Sequence, residues 1–155
     1  MDEKNIFILT GPVKTGKTTR LIEWAEKKGN ATGIATPVIE ENRMFYDLHR
    51  NELFPMEAST EDKNILQIGK YRFNKDSFMK AESIIEEGIV NNNGFVIIDE
   101  IGPLELRGEG FNKIFKKIMN IEKRNFDLVV VIRDSCLNDV LEYFEIKKYQ
   151  IWMNS

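Results

Sequence analysis

The stretch "IFILTGPVKTGKTTRLIEWAEKKG", residues 6–29, decides how this chain folds. It opens on four apolar residues, crosses a loop that holds two glycines, and enters an amphipathic segment that stops at Gly29. The apolar run "IFIL" (6–9) has the length and residue types of a strand covered on both faces. Residues 17–28 put Leu21, Trp24, Ala25 and Lys28 on one helical stripe. Between the two, Gly11 to Thr18 satisfies G-x-x-x-x-G-K-[ST]. Glycines let such a loop bend until successive backbone N–H groups converge on an anion. The helix that starts there adds the positive end of its dipole. The expected phosphate-binding residues are Gly11, Pro12, Val13, Lys14, Thr15, Gly16, Lys17, Thr18 and Thr19. Lys17 would reach the β- and γ-phosphates, and the Thr18 hydroxyl would bind Mg²⁺. Lys14 stands where loops of this kind often carry glycine. Its backbone can still join the loop, and its side chain extends into solvent or touches a phosphate. The plainer reading of the whole stretch is a β–α turn with a surface lysine.

Moving outward, "FVII" (95–98) and "LVVVI" (128–132) repeat the character of the first strand. Helical periodicity follows at 76–90, with Phe78, Ala81, Ile85 and Ile89 inward, and "NNNG" (91–94) ends it with residues that tolerate left-handed backbone. Further helices are expected at 111–123 and 136–144, the latter capped by Asp134 or Ser135. Strands alternating with helices imply βαβ units in an α/β, three-layer domain with a mainly parallel central sheet. Residues 32–73 break the alternation: "GIATPV", "RMFYDL" and "NILQI" read as short strands of a β-rich excursion. The final "YQIWMNS" is a candidate for one more strand. At 155 residues the expectation is one domain, residues 1–155.

The ends of the apolar runs carry the second set of candidates. "FVIIDE" places Asp99 and Glu100 directly after a strand, and "VVVIRDS" places Arg133 and Asp134 after another. In a parallel sheet all carboxyl ends lie on one edge, where ligands bind. Asp99 is therefore the candidate to complete an Mg²⁺ site with Thr18, and Glu100 to orient and deprotonate a water facing the γ-phosphate. Arg133 either senses the γ-phosphate or pairs on the surface with Asp134 or a nearby glutamate. The plainer reading of "DE" is an acidic strand end that solvates a loop.

Composition narrows the classes. Hydrophobic residues make up 42% and charged residues 30%, as in ordinary globular proteins. A net charge of −3 argues against a broad nucleic-acid surface, though a phosphate pocket needs only local positive charge. Cys136 has no partner for an internal disulfide, "MDEKN" is not a signal peptide, and no apolar run approaches membrane length. A cytoplasmic protein that spans no membrane is expected. His49 has no metal-ligating neighbours at suitable spacing, and Phe78, Phe111, Phe115 and Trp24 read as core.

"GPVKTGKTT" together with "FVIIDEIGPLEL" resembles the small P-loop nucleoside-triphosphatase family first recognised in thermophiles, also called the cancer-related nucleoside-triphosphatase family. The resemblance runs over nearly the whole chain. "GIATP" (33–37) is similar to the family's strand after the first helix, and "NRMFYDL" (42–48) to its arginine-led hairpin. Asp99, Glu100, Ile101, Gly102, Glu105 and Leu106 match its "DEIG-x-x-EL" segment, and "VVIRD" its "I-x-x-R" strand end. Two positions depart: Lys14 replaces a glycine, and Pro103-Leu104 stand where Lys-Met is frequent. The resemblance implies a RecA-like fold and Mg²⁺-dependent hydrolysis of ATP, GTP and other triphosphates. It carries the phosphate loop to Gly11–Thr19 and the magnesium and catalytic acids to Asp99 and Glu100.

The residues leave two other readings open. A kinase would need an acceptor pocket, which residues 32–73 could form with Arg43, Arg50 and Arg72 at hand, although Glu100 beside Asp99 favours water. A nucleotide-gated binding module would bind tightly, hydrolyse weakly and recruit a protein partner. Tyr71, Arg72 and Phe73 are candidates to border the bound molecule by position alone.

Overall fold

A computed structural model describes residues 4–11 and 16–152. Its elements in chain order begin β1 (Ile6–Leu9), α1 (Lys17–Lys28), β2 (Ala31–Ala35), β3 (Val38–Ile39), β4 (Asn42–Asp47) and β5 (Glu52–Pro55). They continue β6 (Ile65–Ile68), β7 (Tyr71–Asn74), α2 (Lys75–Asn91), β8 (Phe95–Ile101), α3 (Pro103–Leu106) and α4 (Asn112–Met119). The last are β9 (Asp127–Ile132), a 3₁₀ turn over Asp134–Cys136, α5 (Leu137–Tyr143) and β10 (Gln150–Ile151).

The main sheet runs β10-β1-β9-β8-β2-β4-β3, with β5 paired to β4. From β10 to β2 every neighbour is parallel, and β4 joins β2 antiparallel. Period-two alternation divides the central strands between two cores. Ile6, Ile8, Val96, Ile98, Val130 and Ile132 meet α2, α4 and α5 through Phe78, Ile85, Phe115, Ile118 and Val140. Phe7, Leu9, Ile97, Val129 and Val131 meet Leu21 and Ala25 of α1. Helices thus cover both faces, which is why the strands read as unbroken apolar runs.

The structure moves several boundaries. "GIA" belongs to β2, a member of the parallel sheet paired to β8, so the β-rich excursion runs from β3 to β7. It holds two strands without a sequence signal, β5 and β7, and its β6–β7 hairpin stands apart from the main sheet. Asn92 ends α2 in extended backbone, φ −111°, rather than left-handed. Its side chain bonds the Phe95 carbonyl and the Gly94 N–H instead. Neither Asp134 nor Ser135 caps α5: the two lie inside the 3₁₀ turn, and no side chain caps either segment. α4 ends at Met119, short of the expected 123. Gln150–Ile151 does form a strand, parallel to β1. Trp24 is half-buried, its ring edge-on to Phe95 at 4.8 Å and to Trp152 at 4.6 Å.

Candidate active site

The β1–α1 turn begins at Gly11, φ +149°, and ends at Gly16, φ +76°, the residue before the first turn of α1. Both angles lie where side-chain-bearing residues are strained, which accounts for the two glycines of the motif. Pro12, Val13, Lys14 and Thr15 lie outside the described residues. Lys17 donates from Nζ to the Gly11 carbonyl at 2.9 Å, so its ammonium sits over the start of the loop. Thr19 is exposed on α1.

Thr18, one residue into α1, donates from Oγ1 to Asp99 Oδ2 at 2.9 Å. Asp99 comes from β8, 81 residues away, and also accepts the Thr36 N–H at 3.0 Å. It is 1% exposed. Burial pushes its carboxyl up to about 6, and the charge of Glu100 adds to the rise; the bonds from Thr36 and Thr18 oppose it. A buried carboxylate raised in this way is a group that a cation would stabilise.

Register with β9 slips between Asp99 and Ile101, leaving Glu100 opposite no partner. Such irregularities re-aim a side chain next to functional sites. Asp99 reaches back to α1, whereas Glu100 turns toward two arginines. Its Oε1 lies 3.4 Å from Arg133 Nη2 and 4.0 Å from Arg43 Nη1. Arg133, at the end of β9, is therefore paired with a nearby glutamate, Glu100, which is the plainer of the two readings of this arginine. Arg43, on β4, stood in the sequence as the head of a hairpin and as one of three arginines available to an acceptor pocket, without a link to Glu100. Glu105, matched in the sequence only by resemblance, is 3% exposed. It accepts the N–H groups of Gly102 at 2.8 Å and Phe111 at 2.9 Å, which ties the segment after β8 into a closed loop. Burial raises its carboxyl to about 7 against the pull of those bonds. The spacing of Gly102 to Glu105, with Pro103 between, was the available signal for a short helix start.

The donor set suits Mg²⁺. It offers a hydroxyl and a carboxylate, both hard oxygens, and Mg²⁺ takes one or two such ligands plus water and substrate phosphates. Thr10 Oγ1, beside the loop, is buried with no hydrogen-bond partner among the described residues. Among those residues no group of three or more His, Cys, Asp or Glu is arranged to hold a metal ion. His49 is exposed.

A family model described as NTPase matches residues 6–153. The chain belongs to this NTPase family. It is an enzyme of nucleoside-triphosphate hydrolysis, and the loop, Asp99 and Glu100 are its candidates for that work. It is 28% identical over 156 residues to the nucleoside-triphosphatase THEP1 of Sulfolobus acidocaldarius, covering 94% of this chain and 87% of that protein. Its fold is similar to the crystal structure of THEP1 from Aquifex aeolicus, with TM-score 0.68, 21% identity, and 95% and 88% of the two chains covered. It is also similar to the solution structure of a human cancer-related nucleoside triphosphatase, with TM-score 0.67, 19% identity, and 98% and 90% covered. The mixed α/β fold with a mostly parallel sheet is common to these structures. Among the described residues of this NTPase no helix is long and apolar enough to cross a membrane.

Proposed function

We propose that this NTPase hydrolyses ATP and GTP to the diphosphate and phosphate, with Mg²⁺ as cofactor and Glu100 activating water. The observation that carries the reading is the meeting of Thr18 and Asp99 at 2.9 Å, with Glu100 as the next residue. In this reading the residues from Gly11 to Thr19 cradle the phosphates. Thr18 and Asp99 would hold Mg²⁺, which when bound would offset the charge of the phosphates. Glu100 accepts a proton from the attacking water. Lys17 and Arg133 stand by to stabilise charge gathering on the transferred phosphoryl group. Arg133 and Arg43 meanwhile hold the Glu100 carboxylate in place. A cytoplasmic setting belongs to the same proposal: Cys136 is a buried free thiol.

The test is phosphate release from Mg-ATP and Mg-GTP by the wild type and by Glu100→Gln. Loss of a positioned base typically costs about 10²–10⁴-fold in rate. We expect a fall of that order with nucleotide binding intact by thermal shift, and no release by the wild type in excess chelator. Wild-type release rates in Glu100→Gln would remove Glu100 from the mechanism.

A further inference from the structure

A cavity of about 230 Å³ opens beside Glu100, with no residue of α1 in its lining. Its floor is apolar, built from Met56, Phe73, Phe78, Leu104 and Phe111, all buried. Tyr71 of β7 forms its outer wall, 54% exposed and stacked on Phe73 with an interplanar angle of 6°. Its polar rim carries Glu100, Arg43, Arg133 and Glu57. The cavity and the phosphate site thus share Glu100 and Arg133 as a common wall. Water attacking a phosphate has no use for an aromatic chamber of this kind, because it makes no apolar contacts.

We propose that this cavity binds a neutral, ring-bearing alcohol of about nucleoside size, and that the chain passes the γ-phosphoryl group to its hydroxyl. The inference rests on the nucleotide site and on Glu100 as proposed above. Size sets the first limit: ligand cavities commonly span about 300–1,000 Å³, so this one takes one or two rings and little more. Charge sets the second. Arg43 and Arg133 both face Glu100, and Glu57 adds another carboxylate at the rim. Glu105 is turned to the backbone N–H groups of Gly102 and Phe111. Two cations are offset within the site, which leaves no surplus for an acceptor bringing its own phosphate or carboxylate. The rings supply the third limit, since Tyr71, Phe73 and Phe111 offer faces and edges that suit a planar partner.

The transfer balances without a further reactant. The acceptor oxygen bonds the γ-phosphorus as its proton passes to the Glu100 carboxylate. The bond from that phosphorus to the β–γ bridging oxygen breaks, and the nucleoside diphosphate leaves with the electron pair. Glu100 then returns the proton to solvent.

The experiment gives the full chain Mg²⁺ and ATP radiolabelled at the γ-phosphate, with adenosine, guanosine, cytidine, uridine or pyridoxine at millimolar concentration in separate reactions. Labelled ester and free phosphate are separated and counted. We expect at least one alcohol to be labelled, with ester exceeding free phosphate about tenfold or more, as an oriented acceptor should outcompete water. Ile68 of β6 also lines the cavity, and Ile68→Trp fills it from that side. It should lower ester formation by about tenfold or more while leaving the melting temperature and alcohol-free phosphate release unchanged. If Ile68→Trp does not fold, the smaller Ile68→Phe takes its place. Phosphate release without ester from any of the five alcohols overturns the inference and leaves hydrolysis standing. Ester without alcohol-free release does the reverse, and neither product overturns both. Undiminished ester formation in a folded cavity variant overturns the assignment of the cavity.

Discussion

The bonds that Thr18 Oγ1 and Thr36 N donate to Asp99 end on one oxygen, Oδ2. An asparagine with its amide oxygen in that place keeps both bonds and sheds the charge that burial penalises. The folded carboxyl titrates near 6 and the unfolded one near 3.8. Between those values the folded chain binds more protons, so its stability falls as pH rises, and the loss is complete above about 6. Asp99→Asn should therefore raise the melting temperature of the metal-free protein at pH 7.5, with the gain shrinking toward pH 4. On the function proposed above it should also cut phosphate release by about 100-fold or more, because the charge proposed to hold Mg²⁺ is gone. Melts in chelator at the two pH values check this, and a lower melting temperature at pH 7.5 would sink the burial argument. Glu105 contrasts with it. Its two N–H donors meet different oxygens, Oε1 from Gly102 and Oε2 from Phe111. Glu105→Gln turns an NH₂ group toward one of them, so a loss of about 1–3 kcal/mol is expected in denaturant unfolding.

Asn92 shows how the elements are tied. Its amide donates to the carbonyls of Asn30 at 3.0 Å and Phe95 at 2.9 Å and to Thr32 Oγ1 at 3.2 Å, and its oxygen accepts Gly94 N–H at 3.0 Å. One side chain thus joins the end of α2 to β2 and to the start of β8. Asn92→Ala strands several half-buried groups, and a cost of about 2–3 kcal/mol in urea unfolding is expected. A cost below about 0.5 kcal/mol, the range of ordinary surface changes, would show that water replaces the amide. The sequence could not show this hub, since it works through partners up to 62 residues away. What was legible was local. β1, β8 and β9 are apolar runs, and α1 closes at Gly29, whose N–H bonds the Ala25 carbonyl at 3.1 Å. β5 was hidden because only Phe54 of its four residues is buried, so no alternation marks it. The same holds for β7, where Phe73 alone is buried. At the site, Gly11, Gly16, Thr18, Asp99 and Glu100 stood out because loop chemistry and strand ends are local patterns. The approach of Arg43 to Glu100 was not legible, because it depends on β4 crossing beside β2.

At the scale of the whole molecule, the candidate site draws on the strands at the centre of the sheet. β1 delivers Gly11, β8 delivers Asp99 and Glu100, and β9 delivers Arg133, with β9 lying between the other two. A nucleotide held by these residues touches elements that lie more than 120 residues apart in the chain, so binding should stabilise the fold as a unit. At a ligand concentration of 100 Kd the gain is about 2.7 kcal/mol. For a chain of this size that is about 5–10 °C in melting temperature. Lys17 separates binding from folding. Its Nζ bonds only the Gly11 carbonyl, at 2.9 Å, among the contacts described for it, and Lys17 is only partly buried. Lys17→Ala without ligand should therefore melt within a degree or two of the wild type, as partly exposed substitutions do. With Mg²⁺ and a non-hydrolysable ATP analogue, the wild type should gain its full shift and Lys17→Ala should gain almost none. A full shift in Lys17→Ala would mean that the triphosphate is held somewhere other than the loop between β1 and α1. A large drop without ligand would instead make the lysine a brace of the fold, and the motif would lose its place in phosphate binding.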